Sequence, residues 1–593
     1  MPRTSNQVKS DTNSRYIAPI DGLRAIAVFA VILYHLGVHW IPGGFLGVDL
    51  FFVISGYVIT RLILDSIYRS GALDLKEFFL ARIRRLYPAL IFMMVGTSFI
   101  IALFAPEAIH RFLGDIPYVL SGTNNWHLVA QHRNYFETIG RPPLLQHTWS
   151  LGVEFQFYAI WPLILIFAVK NFGKKNLAKV ALLIAAFSGA ALFIFSLTVD
   201  ASSSTNKISH IYFGTDTHSI GLFLGAALAV SWVPQNLSQV ISQRAQDFVD
   251  GIGVVGLIGL LSTFLFIDES NPALYRIAFP LAGICGCAII TSLVHPASRF
   301  APLLSARWLI WIGERSYGIY LWHWVIFQVT RPSVDLAGAI WAINAARILI
   351  VLGLADISLR WIEIPIRRGL FGNWLRGLKY RTPRVRMRAR ITIAATLSAL
   401  LLATIGASWA AYYRLDHDAG VSSVKVTTEL ATAAPVKPGV PGLWVTGDSV
   451  ILGIHAKLAA HFPIALINAR VGRQIEELIT VVREDISQVP HSIVILDVGN
   501  NNHLTEGSLR TLLDLLKNQP KIILVNTAVP RPWAADNDAI ISRVIATYPH
   551  AELVDWATIS QGHPEFFAPD GVHLVDPGSS AYVAAILDHL PAQ

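Results

Sequence analysis

Charge is scarce in this sequence. Asp, Glu, Lys and Arg make up 15% of the 593 residues and hydrophobic residues 53%, a balance that excludes a soluble protein of this size and places most of the chain in a bilayer. Cysteine is nearly absent: Cys285 and Cys287 share one apolar run, where two residues along a helix they point to different faces. That excludes a disulfide framework and a CxxC metal site, and no metal is expected. Residues 1–16 are polar, with no apolar core followed by a cleavage site, so no removable signal peptide is expected and the first span directs insertion. Internal repeats of solenoid period are missing too. The net charge is +8, but the bases collect in short loops between apolar runs, as membrane topology requires, so nucleic acid is not an expected partner.

What is present is a series of apolar runs of membrane-spanning length. Ten precede residue 363, at 17–39, 44–64, 89–105, 150–169, 178–199, 212–232, 249–267, 274–294, 309–330 and 338–362, and an eleventh covers 391–413. Arg82, Arg84 and Arg85, the lysines from Lys170 to Lys179, Arg299 with Arg307, and a run from Arg367 to Arg390 without a single acid all fall on alternate loops. The positive-inside rule makes that side cytoplasmic. The expected order is a cytoplasmic tail (1–16), a membrane domain (17–370), a basic cytoplasmic segment (371–390), the eleventh helix (391–413) and a Pro-rich extracytoplasmic linker (414–442). From 443 to 593 short β-rich runs such as LWVTG, SIVILDVG and KIILVNTAV alternate with helix-like stretches. This alternation predicts an α/β domain with a parallel sheet.

Ionisable residues inside the spans carry the first functional signal, since such groups face a protein interior or a watery cavity. Arg24 and His35 are eleven residues apart, three turns plus roughly 20°, so they share one face about 16 Å apart, the cation low and the imidazole high. His147, Ser150 and Glu154 form a stripe at the start of the fourth span, and Ser316, Tyr320 and His323 fall at i, i+4 and i+7 on the ninth. His35, His147, Glu154 and His323 are therefore expected at similar depth in the outer half, around a shared polar cavity. A lone His near a span end is most often a packing residue; the repeated depth favours function. Two classes remain open: a transporter, or a transferase using His35 or Glu154 as general base.

The C-terminal region separates them. In LWVTGDSV a strand runs into Gly-Asp-Ser and then a helix, which exposes Ser449 at the carboxyl edge of the sheet. FFAPDGVHL supplies Asp570 and His573 at a spacing that lets one loop orient an imidazole toward the serine. Gly472 in NARVGRQ and Asn501 in GNN can offer a backbone N–H and an amide to an oxyanion. Each piece alone is ordinary turn chemistry. Together, in this order, they predict an acyl-ester enzyme.

Residues 443–593 resemble the SGNH hydrolases, with Ser449, Gly472, Asn501 and His573 at the name-giving positions and Asp570 completing the triad. The family's third block usually reads Gly-x-Asn-Asp, and here it reads Gly499-Asn500-Asn501-Asn502. Residues 16–370 resemble the acyltransferase-3 family of membrane O-acyltransferases through IDGLRAIAV with His35 at Arg-x10-His, GGFLGVDLFFVISGY, RIRRLYPAL, HTWSLGVEFQFY, SYGIYLWHW and IEIPIRR. One departure is His218, where members more often carry Arg. The fused form resembles bacterial enzymes of the inner membrane that O-acetylate lipopolysaccharide O-antigen, peptidoglycan or exopolysaccharide.

The resemblance implies that cytosolic acetyl-CoA is the acyl donor and a hydroxyl of a cell-surface glycan the acceptor, with membrane lipid around the spans. On that basis Arg24, Arg82, Arg84 and Arg85 are expected to hold the coenzyme's phosphates, while His35 and Glu154 meet its thioester. Ser449 then either carries the acyl group to the glycan or removes esters. The alternatives are a glycan or lipid transporter with an attached esterase, and a deacetylase on an inert anchor, though an inert anchor has no need of buried Arg and Glu.

Overall fold

The computed structural model describes residues 17–38, 40–131, 141–197, 205–267, 274–332, 335–336, 338–422, 429–433, 442–470, 472–501, 504–529, 533–568 and 571–591. The membrane domain is a helical bundle built from α1 (Ala18–His35), α2 (Gly47–Ser70), α3 (Leu75–Phe104), α4 (Trp149–Phe172), α5 (Leu177–Leu197), α6 (Ile220–Ser231), α7 (Gln243–Phe266), α8 (Phe279–Leu293), α9 (Arg307–Val329) and α10 (Ile340–Ile357). A further helix, α11 (Pro383–Ser422), packs against α3. Small residues let the backbones close in: a Cβ at Gly56 would lie 1.9 Å from the Leu222 carbonyl oxygen, and one at Gly313 would lie 1.9 Å from that of Asp21. These contacts fix how α2 crosses α6 and how α9 crosses α1.

Among the described residues nine helices are long and apolar enough to cross a membrane, against the eleven spans expected. The ninth expected span forms α9, of 23 residues, but its Arg315, Ser316 and His323 are buried, because α9 faces the bundle interior. The sixth expected span, 212–232, is broken: it takes in the end of the helix Thr205–Phe213, then Thr215–His218 and α6. The break sits at Gly214, in extended conformation, and side chains take over the freed backbone groups: Asn125 donates to the Phe213 carbonyl at 3.0 Å and Thr217 to that of Gly214 at 3.1 Å. The twelve residues of α6 reach about 18 Å, short of a bilayer core of about 30 Å.

Two boundaries also move. Arg82, Arg84 and Arg85 lie within the first turns of α3 rather than in a loop, since the helix begins at Leu75 with Asp74 capping Glu77 N–H at 3.0 Å. Part of the expected basic segment, from Pro383 on, is already α11.

The C-terminal domain carries a six-stranded sheet of β1 (Glu429–Ala433), β2 (Leu443–Gly447), β3 (Ile464–Arg470), β4 (Ile493–Asp497), β5 (Lys521–Val525) and β6 (Ala551–Val554), in the order β1-β3-β2-β4-β5-β6. Five strands run parallel and β1 is antiparallel at the edge, pairing Glu429 with Arg470. β1 lies inside the expected linker; its ELATA is too short and too small-sided to announce a strand, and pairing with β3 makes it one. Alternation on β2, β4 and β5 sends Trp444, Val494 and Ile522 into one core and Leu443, Val445, Ile493 and Ile523 into the other, so helices cover both faces.

Candidate active sites in the membrane bundle and the α/β domain

In the bundle the cations gather first. Arg24, Arg82, Arg85 and Arg367 line a hollow of about 920 Å³, part of it continuous with solvent, whose far wall carries Ser55, Ser150, Glu154, Tyr158 and Tyr320. Arg24, Arg85, Arg367 and Glu314 also line a wider vestibule with Arg61 and Arg368, so the two spaces adjoin across these side chains. Arg24 pairs with Asp21 at 3.1 Å, whereas Nε of Arg82 is buried with no hydrogen-bond partner among the described residues. Guanidinium groups gathered on the wall of a cavity, from half-buried Arg24, Arg82 and Arg85 to exposed Arg367, make a receptor for an anion with several oxygens. Arg84 does not belong to it: exposed on the outer face of α3, it pairs with Glu77 at 3.2 Å.

Glu154 accepts from the Ser55 hydroxyl at 2.5 Å and from Tyr158 at 3.3 Å. One layer above, the Tyr320 hydroxyl donates to the His147 carbonyl at 2.7 Å and meets Ser150 Oγ at 2.8 Å. Beyond that partition lie the histidines: His323 Nε2 is 3.2 Å from His35 Nδ1, and the His147 ring lies 6.0 Å from the His323 ring. Both ring nitrogens of His147 are buried without a hydrogen-bond partner among the described residues. The structure thus brings His35, His147 and His323 together and sets Glu154 below them, in the second turn of α4, whereas His147 lies in the 3-10 turn before that helix. Ser55, Tyr158 and Arg367 were missed by sequence reasoning as site residues; FFVISGY, HTWSLGVEFQFY and IEIPIRR contained them.

His218 is buried between Phe52, Trp149, Tyr212 and Phe279, with Nε2 3.1 Å from Asp49 and Nδ1 2.6 Å from the Tyr212 carbonyl. It is not among the residues lining the cavity.

In the α/β domain, β2 ends at Gly447, and Asp448 then caps α12 (Ser449–His461), accepting from Val450 N–H at 2.9 Å. Ser449 therefore starts a helix at the carboxyl end of a central strand, between β3 and β4, where the strand order reverses. The Asn501 amide donates to Asp448 at 2.7 Å and to the Arg473 carbonyl at 2.8 Å, joining the turns after β2, β3 and β4. Both amide hydrogens are thereby engaged, and Asn501 ties the three turns together. Gly472 stands at φ +78, open to glycine without strain.

Asn500 bridges two buried carboxylates, Asp448 at 3.1 Å and Asp497 at 2.7 Å, and Tyr582 donates to Asp497 at 2.9 Å. Burial, and then the nearby charge of Asp448, push the Asp497 carboxyl well above the usual carboxylate range. Burial also raises Asp448, opposed by its hydrogen bonds from Val450 and Asn500 and by the charge of His573. His573 thus lies close enough to act on the residue beside Ser449, in a loop turned by Gly571 at φ +69 and closed by the Ala568 N–H on the His573 carbonyl at 2.7 Å. Asp570 lies outside the described residues. Asp448, Asp497, Asn500, Arg473 and Tyr582 escaped sequence reasoning, because their proximity depends on four separate parts of the chain.

The model of the acyltransferase domain family matches residues 17–358. The chain is 34% identical to the peptidoglycan O-acetyltransferase OatA of Listeria monocytogenes, over 96% of this chain and 98% of that one. It is 33% identical to the O-acetyltransferase OatA of Staphylococcus aureus, over 97% and 96%. Among solved structures, the C-terminal catalytic domain of OatA from Streptococcus pneumoniae with a methylsulfonyl adduct is 21% identical with a TM-score of 0.23, covering 25% of this chain and 92% of that one. With a family match across more than half its length and relatives aligned nearly end to end, the chain belongs to the acyltransferase family and is a multi-pass membrane acyltransferase with a C-terminal α/β domain.

Proposed function

We propose that this protein moves an acetyl group from cytosolic acetyl-CoA across the membrane to a hydroxyl of a cell-wall glycan, with peptidoglycan as the acceptor class named for its relatives. The observation that carries this reading is the arginine-lined hollow that adjoins a vestibule across Arg24, Arg85 and Arg367 and reaches Tyr320, with the three histidines just beyond. Nucleotide phosphates cannot cross apolar surroundings, so they stay with Arg24, Arg82, Arg85 and Arg367 while the acyl arm reaches upward. His35 takes the proton of the attacking hydroxyl, the new O–C bond forms, the C–S bond breaks, and the proton ends on the departing thiolate.

The α/β domain lies outside the cytoplasm, beyond α11, in this reading. Ser449, activated by His573, attacks the ester formed beside His35, takes its acetyl group and releases that ester's alcohol; a glycan hydroxyl then attacks the Ser449 ester, takes the acetyl group and frees the serine. The test is the ester-linked acetate on surface glycans, read by mass spectrometry and proton NMR in cells with and without the gene and with His35→Ala or Ser449→Ala. Loss of acetate in both variants is expected; unchanged acetate in all strains removes the assignment.

A further inference from the structure

His323 is fully buried, and its Nδ1 lies 2.6 Å from the Tyr320 carbonyl oxygen. A carbonyl only accepts, so this nitrogen carries a hydrogen. In the neutral ring the other nitrogen, Nε2, then has the lone pair. That Nε2 is 3.2 Å from Nδ1 of His35, which must therefore be the donor of the pair. The ring is held in place edge-on to Trp324 at 5.0 Å and Tyr34 at 5.1 Å, and His147 and Tyr320 are the other titratable groups around His323.

We infer that His323 is a positioning residue that fixes His35 as the Nδ1–H tautomer, so that Nε2 of His35 is the basic atom. This rests on the acyl-transfer reading above for its consequence, but not for the tautomer itself. Nε2 takes the hydroxyl proton as the oxygen attacks the thioester carbon. After the C–S bond breaks the proton passes to the thiolate, and the ring returns to the same tautomer because its Nδ1 hydrogen never leaves the His323 bond.

Two substitutions of His323 separate this role from simple packing. An Asn side chain can keep the bond to the Tyr320 carbonyl but is too short to reach His35, whereas the oxygen of Gln reaches as far as Nε2 and accepts from His35. In the purified full chain, assayed with acetyl-CoA and soluble cell-wall oligosaccharides, His323→Asn is expected to lower kcat roughly ten- to hundredfold with KM for acetyl-CoA unchanged, and His323→Gln to restore most of it. Nitrogen-15 NMR of ring-labelled histidine, with His35 assigned by its loss in His35→Gln, reads the tautomer directly. The hydrogen on Nδ1 is expected in the wild type and its redistribution in His323→Asn. Equal rates for the Asn and Gln variants, or a wild-type His35 with its hydrogen on Nε2, overturn the proposal. A wild type that transfers no acetyl group removes the acyl-transfer reading alone, because the spectrum still decides the tautomer.

Discussion

Tyr320 and Ser150 meet hydroxyl to hydroxyl at 2.8 Å across the interface of α9 and α4. Tyr320 passes its own hydrogen to the His147 carbonyl, 2.7 Å away, so the pair forms a polar partition between the arginine-lined hollow and the histidines. Tyr320→Phe leaves a buried carbonyl and a buried hydroxyl without their partner, each at about 1–3 kcal/mol. The expected outcome is a lower melting temperature and a lower transfer rate with coenzyme A affinity unchanged, since the arginines lie at the other end. Isothermal titration beside steady-state kinetics checks it; weakened coenzyme binding would contradict the partition.

The two neighbouring arginines of α3 predict opposite behaviour. Arg85 lines the hollow, while Arg84 is exposed and pairs with Glu77. Removing one charged hydrogen-bonding group from an anion costs about 1.5–3 kcal/mol, so Arg85→Ala is expected to weaken coenzyme A binding at least about tenfold. Arg84→Ala is expected to leave it within about twofold, as an exposed pair contributes about 0–1 kcal/mol. Titration of the detergent-solubilised protein with coenzyme A compares them.

Asp49 and His218 form a pair buried to within 2% of full enclosure. Deleting one partner of such a pair costs about 3–5 kcal/mol because the other stays buried and uncompensated. His218→Ala is thus expected to lower thermal stability strongly. Replacing both, as in Asp49→Leu with His218→Phe, is expected to recover most of the loss, which a melting series on the four proteins reads out. Full recovery with lost transfer would assign the pair a part in the chemistry.

Asp497 makes the α/β domain sensitive to pH. A carboxyl held well above its ordinary value retains its proton on folding, so the folded state binds more protons than the unfolded one. Stability falls as pH rises from the usual carboxylate range toward the raised value. Because Asp448 sits beside it and is raised as well, the two titrate as a pair. Melting temperatures of the full chain between mildly acidic and mildly basic pH are expected to decline for the wild type and to decline less for Asp497→Asn. A flat wild-type profile would speak against it.

Much of this protein is legible in one dimension. Long apolar runs force helices wherever no water can satisfy a backbone, and short β-rich runs such as LWVTG and SIVILD favour strands buried on both faces; these are local rules, so the membrane bundle, the α/β domain and their order follow from sequence. The Arg24 and His35 face follows too, because helical geometry fixes the spacing within one element. What failed were statements that join elements. The sixth span breaks at Gly214 because side chains from elsewhere rescue its backbone, and β1 is a strand only because β3 offers an edge.

The sequence by itself determined which residue types enter the bilayer and which turn carries Ser449, since hydrophobicity and turn chemistry act over a few residues. Only the tertiary structure decided that Arg84 faces outward while Arg85 faces the hollow, that Glu154 sits with Ser55 below the histidines, and that Asn501 spends its amide on Asp448. Each of those depends on which helix or loop packs alongside, and on satisfying buried polar groups across distances in the chain that no local pattern records.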